Sequence, residues 1–238
     1  MEEKFVRTGL LLGEENLEKL KNAHVAVFGV GGVGGYTVEA LVRSGIGEIT
    51  IVDKDVVAEP DLNRQIIATV KTVGRKKVGV FKERILEIRP ECIVHARECF
   101  YLPETSAQFD FSEYDYVVDA VDTVTAKIAL VLQAQAADVP VISCMGAGNK
   151  LDPSLFEVAY LKDTSVCPLA RVMRRELKRR NADHLKVVYS REKPVTRQQE
   201  NAAMPAANGK SAPGSVAFVP PVAGLLLAGE VIRDLIKV

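Results

Sequence analysis

The sequence predicts an α/β protein with a Rossmann-like, doubly wound, mostly parallel sheet and C-terminal extension strands and helices. Apolar segments alternate with helical patterns up to residue 150, which implies parallel strands joined by crossover helices. The apolar segments show no polar alternation, as expected of strands covered by helices on both faces. The first of them runs straight into a glycine-rich turn and a helix, VAVFGVGGVGGYTVEA, residues 25–40. That is the architecture of a nucleotide-phosphate cradle.

Taken in order, the strands are HVAVFG (24–29), EITIVD (48–53), CIVHA (92–96), YVVDAVD (116–122) and PVISC (140–144). Between them lie helical patterns at GYTVEALVRSG (35–45), GRKKVGVFKERILEI (74–88) and VTAKIALVLQAQAAD (124–138). The pattern then changes. A strand at SLFEVAYL (154–161) precedes a basic helix, CPLARVMRRELKRR (167–180), and another strand, HLKVVYS (184–190). Residues 191–215 have no periodicity and read as a functional or mobile loop. The apolar VAFVPPVAGLLLAGEVI is interrupted by Pro-Pro and meets charge too soon to span a bilayer, so it reads as a buried C-terminal helix. The chain is expected to form a single domain over 1–238. Residues 1–150 are its nucleotide-binding core, and 151–238 carry substrate and dimer contacts with a mobile loop at 191–215.

Lys+Arg and Asp+Glu both number 31, so the net charge is zero and names no partner. The start lacks a signal-peptide layout, and a soluble, cytoplasmic protein with no membrane partner is expected. Cys92, Cys99, Cys144 and Cys167 form no Cys-x-x-Cys pair, which argues against structural zinc. Cys167 opens the basic helix and reads as a packing residue rather than a reactive thiol; Cys144 reads as a core strand residue. His24, His95 and His184 are far apart in the chain and read as unclustered.

Gly29, Gly31, Gly32 and Gly34 fit the G-x-G-x-x-G template directly after a strand. Asp53 ends the second strand where an acid would accept hydrogen bonds from a ribose hydroxyl. So far a dehydrogenase would fit. The next stretch departs from that reading, with Asp55, then Asn63-Arg64-Gln65, then Lys77 at the front of a helix. Arg and Lys directed at one cleft suit a triphosphate whose charge must be neutralised as pyrophosphate leaves. Asp119 and Asp122 end the fourth strand, and a carboxylate there could hold Mg2+ against phosphate oxygens. The plainer readings are a helix cap for Asp122 and solvated charges for Arg64 and Lys77.

On GVGGVGG, IVDKD, DLNRQ, TVGRKK and DAVDTVTAK, the chain resembles the ThiF/MoeB/HesA superfamily of ubiquitin-activating-type adenylating enzymes. RTGLLLGEENLEKLK, SCMGAGNKLDP, CPLARVMRREL, LKVVYS and AFVPPVAG are similar to the tRNA threonylcarbamoyladenosine dehydratase group within it. The resemblance implies a ThiF-type domain that uses ATP and Mg2+ to adenylate the threonylcarbamoyl carboxylate on tRNA. Intramolecular attack then expels AMP and closes a ring, a net loss of water. It implies that Gly29, Gly31, Gly32 and Gly34 line the phosphates and Asp53 holds the ribose. Asp55, Asn63, Arg64, Gln65 and Lys77 would serve the nucleotide, and Asp122 the metal. Arg7 would reach the partner's phosphates in a homodimer.

Relatives usually carry Asn where this chain has Asp61, an acceptor only, which either turns away, with Asn63 filling the cleft, or sits near metal. Some relatives carry Cys in the strand where this chain has Val187 and Val188, so a sulfur-transfer or carrier-protein partner would have to use another thiol. On the basic helix, Arg171, Arg174, Arg175 and Lys178 recur at spacings of three and four and form the expected tRNA-binding face. The competing readings are adenylation of the C-terminal glycine of a ubiquitin-like or sulfur-carrier protein, an NAD-binding oxidoreductase, and a nucleotide-sensing module.

Overall fold

The computed structural model describes residues 2–195 and 213–237; most of the expected loop at 191–215 lies outside the described residues. The strands are β1 (His24–Phe28), β2 (Glu48–Val52), β3 (Ile93–Arg97), β4 (Tyr116–Asp119), β5 (Val141–Cys144), β6 (Phe156–Tyr160) and β7 (Lys186–Ser190). They form one sheet in the order β3-β2-β1-β4-β5-β7-β6. All neighbours are parallel except β6, which pairs antiparallel with β7 at the far edge. Strands β6 and β7, from the C-terminal portion, therefore continue the same sheet as the nucleotide-binding half.

The helices are α1 (Val6–Leu12), α2 (Glu14–Asn22), α3 (Gly34–Arg43), α4 (Lys77–Ile88), α5 (Val124–Ala136), α6 (Pro168–Lys178) and α7 (Pro220–Ile236). Helices α1 and α2 precede the first strand and were not foreseen; Gly13, at φ 80°, breaks one from the other. Helices α3, α4 and α7 share the core on one face, where Val38, Leu41, Phe81, Ala223 and Leu227 meet Val25, Val27, Ile49 and Ile51. Helices α5 and α6 cover β4, β5 and β7 on the other face. On that second face, Phe28 of β1 shares a core cluster with Ala126, Leu130 and Ala134 of α5, and Tyr101, Phe109 and Phe111, from the connection between β3 and β4, pack around its ring.

Two boundaries differ from expectation for local reasons. Strand β4 stops at Asp119, because the Asp119 carboxylate accepts from Val121 N–H and folds residues 120–122 out of the ladder. Helix α7 begins at the Pro-Pro pair, which fills its first two positions, where no backbone donor is needed. It lies hard against α3. A Cβ on Gly224 would sit 2.3 Å from the Val33 carbonyl oxygen, and Thr37 Oγ1 donates to the Gly224 carbonyl at 3.0 Å.

This close approach separates two helical glycines. Gly224→Ala is expected to lower unfolding free energy by about 1–3 kcal/mol through overpacking. At Gly79 in α4 the nearest atom to an added Cβ is 4.0 Å away, so Gly79→Ala is expected to raise it by about 0.5–1 kcal/mol. Urea unfolding of the two variants beside the parent measures both.

Candidate active site

Strand order reverses between β1 and β4, so the chain leaves their carboxyl ends in opposite directions and opens a crevice there. The glycine turn occupies it. Gly29 has φ 84°, and a Cβ on it would lie 2.8 Å from the Ala120 carbonyl oxygen; one on Gly34 would lie 1.8 Å from the Gly29 carbonyl oxygen. These two glycines fold the turn. Gly31 and Gly32 serve a different purpose. An added Cβ would meet Gln65 Nε2 at 3.7 Å from Gly31, and Arg64 Cγ at 3.2 Å from Gly32. The bareness of Gly32 lets Arg64 lie on the turn, whereas the distance at Gly31 is an ordinary contact.

The N–H groups of Gly31, Gly32, Val33 and Gly34 have no protein acceptor among the described residues. They sit at the N-terminus of α3, whose dipole favours an anion. Asp53 braces the turn from below: Oδ2 accepts from Val30 N–H and Oδ1 from Asp55 N–H, both at 2.9 Å. Burial raises its pKa above the usual carboxylate value, with Lys77 opposing the shift. Gly35 is bare because Phe81 and Ile66 press against it, Phe81 Cζ at 3.1 Å from the Cβ it lacks.

Asp61 organises the second wall. Only 8% exposed, it closes its own 3-10 turn by accepting from Ala58 N–H at 3.1 Å and takes Gln65 Nε2 on Oδ1 at 2.6 Å. Arg64 Nη2 lies 3.5 Å and Lys77 Nζ 3.8 Å from the same carboxylate, and Lys77 also reaches Asp55 at 3.4 Å. Of the two places expected for Asp61, it takes the first: its acceptors turn into its own loop. Arg64 Nη1 donates to the Pro60 carbonyl and to Asn63 Oδ1, both at 2.9 Å. Asn63 in turn donates to the Ser215 carbonyl at 3.0 Å, tying this wall to the chain that enters α7. Gln65 is 5% exposed, and its Oε1 is buried with no hydrogen-bond partner among the described residues. A buried acceptor left so is costly unless a ligand donates to it.

Beneath the crevice lies a fully buried ion pair. Lys127 of α5 donates to Asp119 Oδ2 at 3.0 Å, to the Cys144 carbonyl at 2.7 Å and to Ser143 Oγ at 3.2 Å. Ser143 Oγ donates to the same Asp119 oxygen at 2.5 Å. Lys127 stood in the DAVDTVTAK motif without an assigned role; a lysine inside an otherwise apolar helix was the signal. Asp122 sits above, exposed, and accepts from the Thr123 hydroxyl at 3.2 Å. It does not cap α5, since no side chain caps that helix.

The remaining predicted residues lie away from the crevice. Arg7 is exposed on α1 beside Leu10 and Leu11, which are 80% and 88% exposed. On α6, Arg171, Arg175 and Lys178 are exposed, but Arg174 leaves their row and donates to the Thr164 carbonyl at 2.7 Å and to the Thr164 hydroxyl. Its position at the edge of the buried stripe of Ala170, Met173 and Leu177 makes it a structural arginine. Cys167 is buried at the helix start, and burial pushes the Cys144 thiol up to about 12.

Residues 6–238 match the ThiF family. The tRNA threonylcarbamoyladenosine dehydratase of Bacillus subtilis is 44% identical over 240 residues, covering 98% of this chain and 94% of that protein. The protein of the same name in Escherichia coli is 41% identical over 176 residues, 74% of this chain and 66% of its own length. The crystal structure of the E. coli enzyme in complex with ATP superposes with a TM-score of 0.88 at 33% identity, covering 98% of this chain and 94% of that one.

The buried pair gives a direct test of what holds the floor of the crevice. Lys127→Met leaves Asp119 charged and buried and is expected to cost about 3–5 kcal/mol in chemical denaturation. The double variant Asp119→Asn/Lys127→Met is expected to recover most of that loss. Additive losses would show that the two do not act as a pair.

Proposed function

This chain belongs to the ThiF family, and from that premise we propose that it is an ATP-dependent tRNA threonylcarbamoyladenosine dehydratase. We take residues 1–238 as a single adenylating domain. The observation that carries the reading is the juxtaposition in one crevice of four unpartnered N–H groups, the Arg64 guanidinium and an orphaned buried acceptor on Gln65.

In this reading the turn N–H groups of residues 31–34 receive phosphate oxygens, and Asp53 and Gln65 Oε1 accept from the nucleoside. The threonylcarbamoyl carboxylate attacks the α-phosphate, and pyrophosphate leaves. Both partners are anions, so the reaction requires positive charge that costs no reorganisation at the moment of attack. Arg64 and Lys77 supply it. Their carboxylate neighbour Asp61 fixes their positions without entering the crevice, and Asp55 shares Lys77 with it. Arg64 keeps donors beyond those that Pro60 and Asn63 use. Asn63 then acts as a strut between this wall and α7.

The exposed Asp122 carboxylate, three residues beyond the end of β4, is a hard oxygen donor that suits Mg2+ bound through one carboxylate plus phosphates. Bound there, Mg2+ would neutralise charge on the leaving pyrophosphate. In the second step a nucleophilic atom of the same threonylcarbamoyl group attacks the activated carbonyl. AMP departs and the ring closes with net loss of water. No covalent protein intermediate is needed, in keeping with buried Cys144 and Cys167.

Arg171, Arg175 and Lys178 form the tRNA-facing patch, from which Arg174 is removed. The exposed Leu10 and Leu11 support a homodimer, in which Arg7 would approach the partner's nucleotide. A cytoplasmic location suits four cysteines that remain free thiols, and no helix among the described residues is long and apolar enough to cross a membrane.

With ATP, Mg2+ and tRNA carrying threonylcarbamoyladenosine, mass spectrometry of the digested nucleosides is expected to show loss of one water. Unchanged tRNA, together with AMP transfer to the C-terminal glycine of a small carrier protein, would overturn the reading. Arg64→Ala is expected to lower the rate by about 10²-fold or more with an unchanged circular dichroism spectrum. Joint Ala substitution of Arg171, Arg175 and Lys178 is expected to flatten the salt dependence of tRNA binding, with about 0.7–0.9 lost from the log–log slope per phosphate contact removed. Arg174→Ala is expected to lower stability and leave that slope unchanged.

A further inference from the structure

We propose that His24, Glu48 and His95 form a binding site for a borderline divalent transition-metal ion such as Zn2+, separate from the nucleotide crevice. His24 and His95 read as unclustered in the sequence, and Glu48 carries no expected role there. Strand order brings them together. In the parallel register His24 of β1 is level with Glu48 of β2, and Thr50 of β2 is level with His95 of β3. Side chains level with one another, or two residues apart, share a sheet face. His24, Glu48, Thr50 and His95 therefore all project from one face, across three adjacent strands. His24 and Glu48 open their strands, whereas the glycine turn follows the far end of β1, about 13 Å away at the strand rise.

The side-chain geometry fits a metal. His95 Nε2 lies 2.7 Å and His24 Nδ1 3.5 Å from the same oxygen, Glu48 Oε1. One donor atom from each residue lies within 4.8 Å of the other two. Tetrahedral ligands at about 2.0–2.2 Å from Zn2+ stand roughly 3.3–3.5 Å apart. The His24–Glu48 spacing already meets that. His95 must withdraw by roughly 0.6 Å to reach it, and its side chain on the edge strand β3 is 40% exposed and has room to do so.

The surroundings are those of a ligating histidine. The second nitrogen of His24, Nε2, lies 2.9 Å from the hydroxyl of buried Thr50, which orients the ring and leaves Nδ1 for the metal. The Tyr114 ring packs edge-on against the His24 ring at 5.0 Å, and Asp115 accepts from the His24 backbone N–H at 2.7 Å, which fixes the start of β1. Two imidazoles and one carboxylate form a donor set that suits Zn2+, Cu2+ or Ni2+ and disfavours Mg2+. A metal there would clip the edge strand β3 to β2 and β1.

The full-length chain, stripped with a chelator, is titrated with Zn2+ alone by calorimetry and with Co2+ alone by visible absorption. One ion per chain is expected, with bands of low-coordinate Co2+ lacking thiolate charge transfer, a higher melting temperature, and no comparable response to Mg2+. Glu48→Gln and His95→Asn keep hydrogen-bonding side chains and are expected to weaken Zn2+ binding by about tenfold or more. Asp122→Asn, in the other crevice, is expected to leave it unchanged. Absence of binding, or binding that Glu48→Gln and His95→Asn leave intact, would overturn the proposal.

Discussion

Gly34 lies so close to Gly29 that a Cβ there would stand 1.8 Å from the Gly29 carbonyl oxygen, while Gly29 itself is pressed against the Ala120 carbonyl. That pair of contacts winds the chain after β1 into a turn with its N–H groups facing outward, at the point where strand order reverses. Everything around it serves to keep the turn in place. Asp53 ties it to the end of β2. The Asp119–Lys127 pair fixes the end of β4, whose next residue, Ala120, supplies the opposing carbonyl. Helix α7 closes over α3 through Gly224 and the Thr37 hydroxyl. The outward-facing N–H groups are thus held from β2, β4, α5 and α7.

The second wall shows how charge is handled around that turn. Two cations, Arg64 and Lys77, stand over an anion site and would repel each other without a counter-charge. Asp61 provides it from below while spending its remaining acceptors on Ala58 N–H and Gln65. An Asn in its place could accept the same hydrogen bond from Gln65 but would carry no charge. The Asp61 carboxylate is engaged within its own loop, by Ala58 N–H, Gln65 and Arg64.

Features set by neighbours in sequence were legible from the start. The glycine turn needs only a strand, a helix and four bare positions, and Lys77 falls at a helix start as expected. Seven strands lie within a few residues of their expected positions because each is a short run rich in apolar and β-branched residues. Residues whose partners come from elsewhere in the fold were not. Arg174 has the spacing of an exposed basic row, but the Thr164 carbonyl lies within its reach and takes it out. Gly35 had no visible reason until Phe81 was seen against it. His24, Glu48 and His95 meet only because the sheet runs β3-β2-β1, an order that no local pattern encodes. The cover over Phe28 is likewise not local, since aromatic rings from the connection between β3 and β4 pack around it.

The chemistry turns on which phosphorus the carboxylate attacks. Cation and N–H donors converging on a triphosphate suit attack at the α-phosphate, with pyrophosphate leaving. Separating the nucleotide products during turnover of threonylcarbamoyl-tRNA decides this. AMP and pyrophosphate, formed in step with loss of water from the modified nucleoside, are the predicted products. ADP and phosphate would contradict an adenylating site.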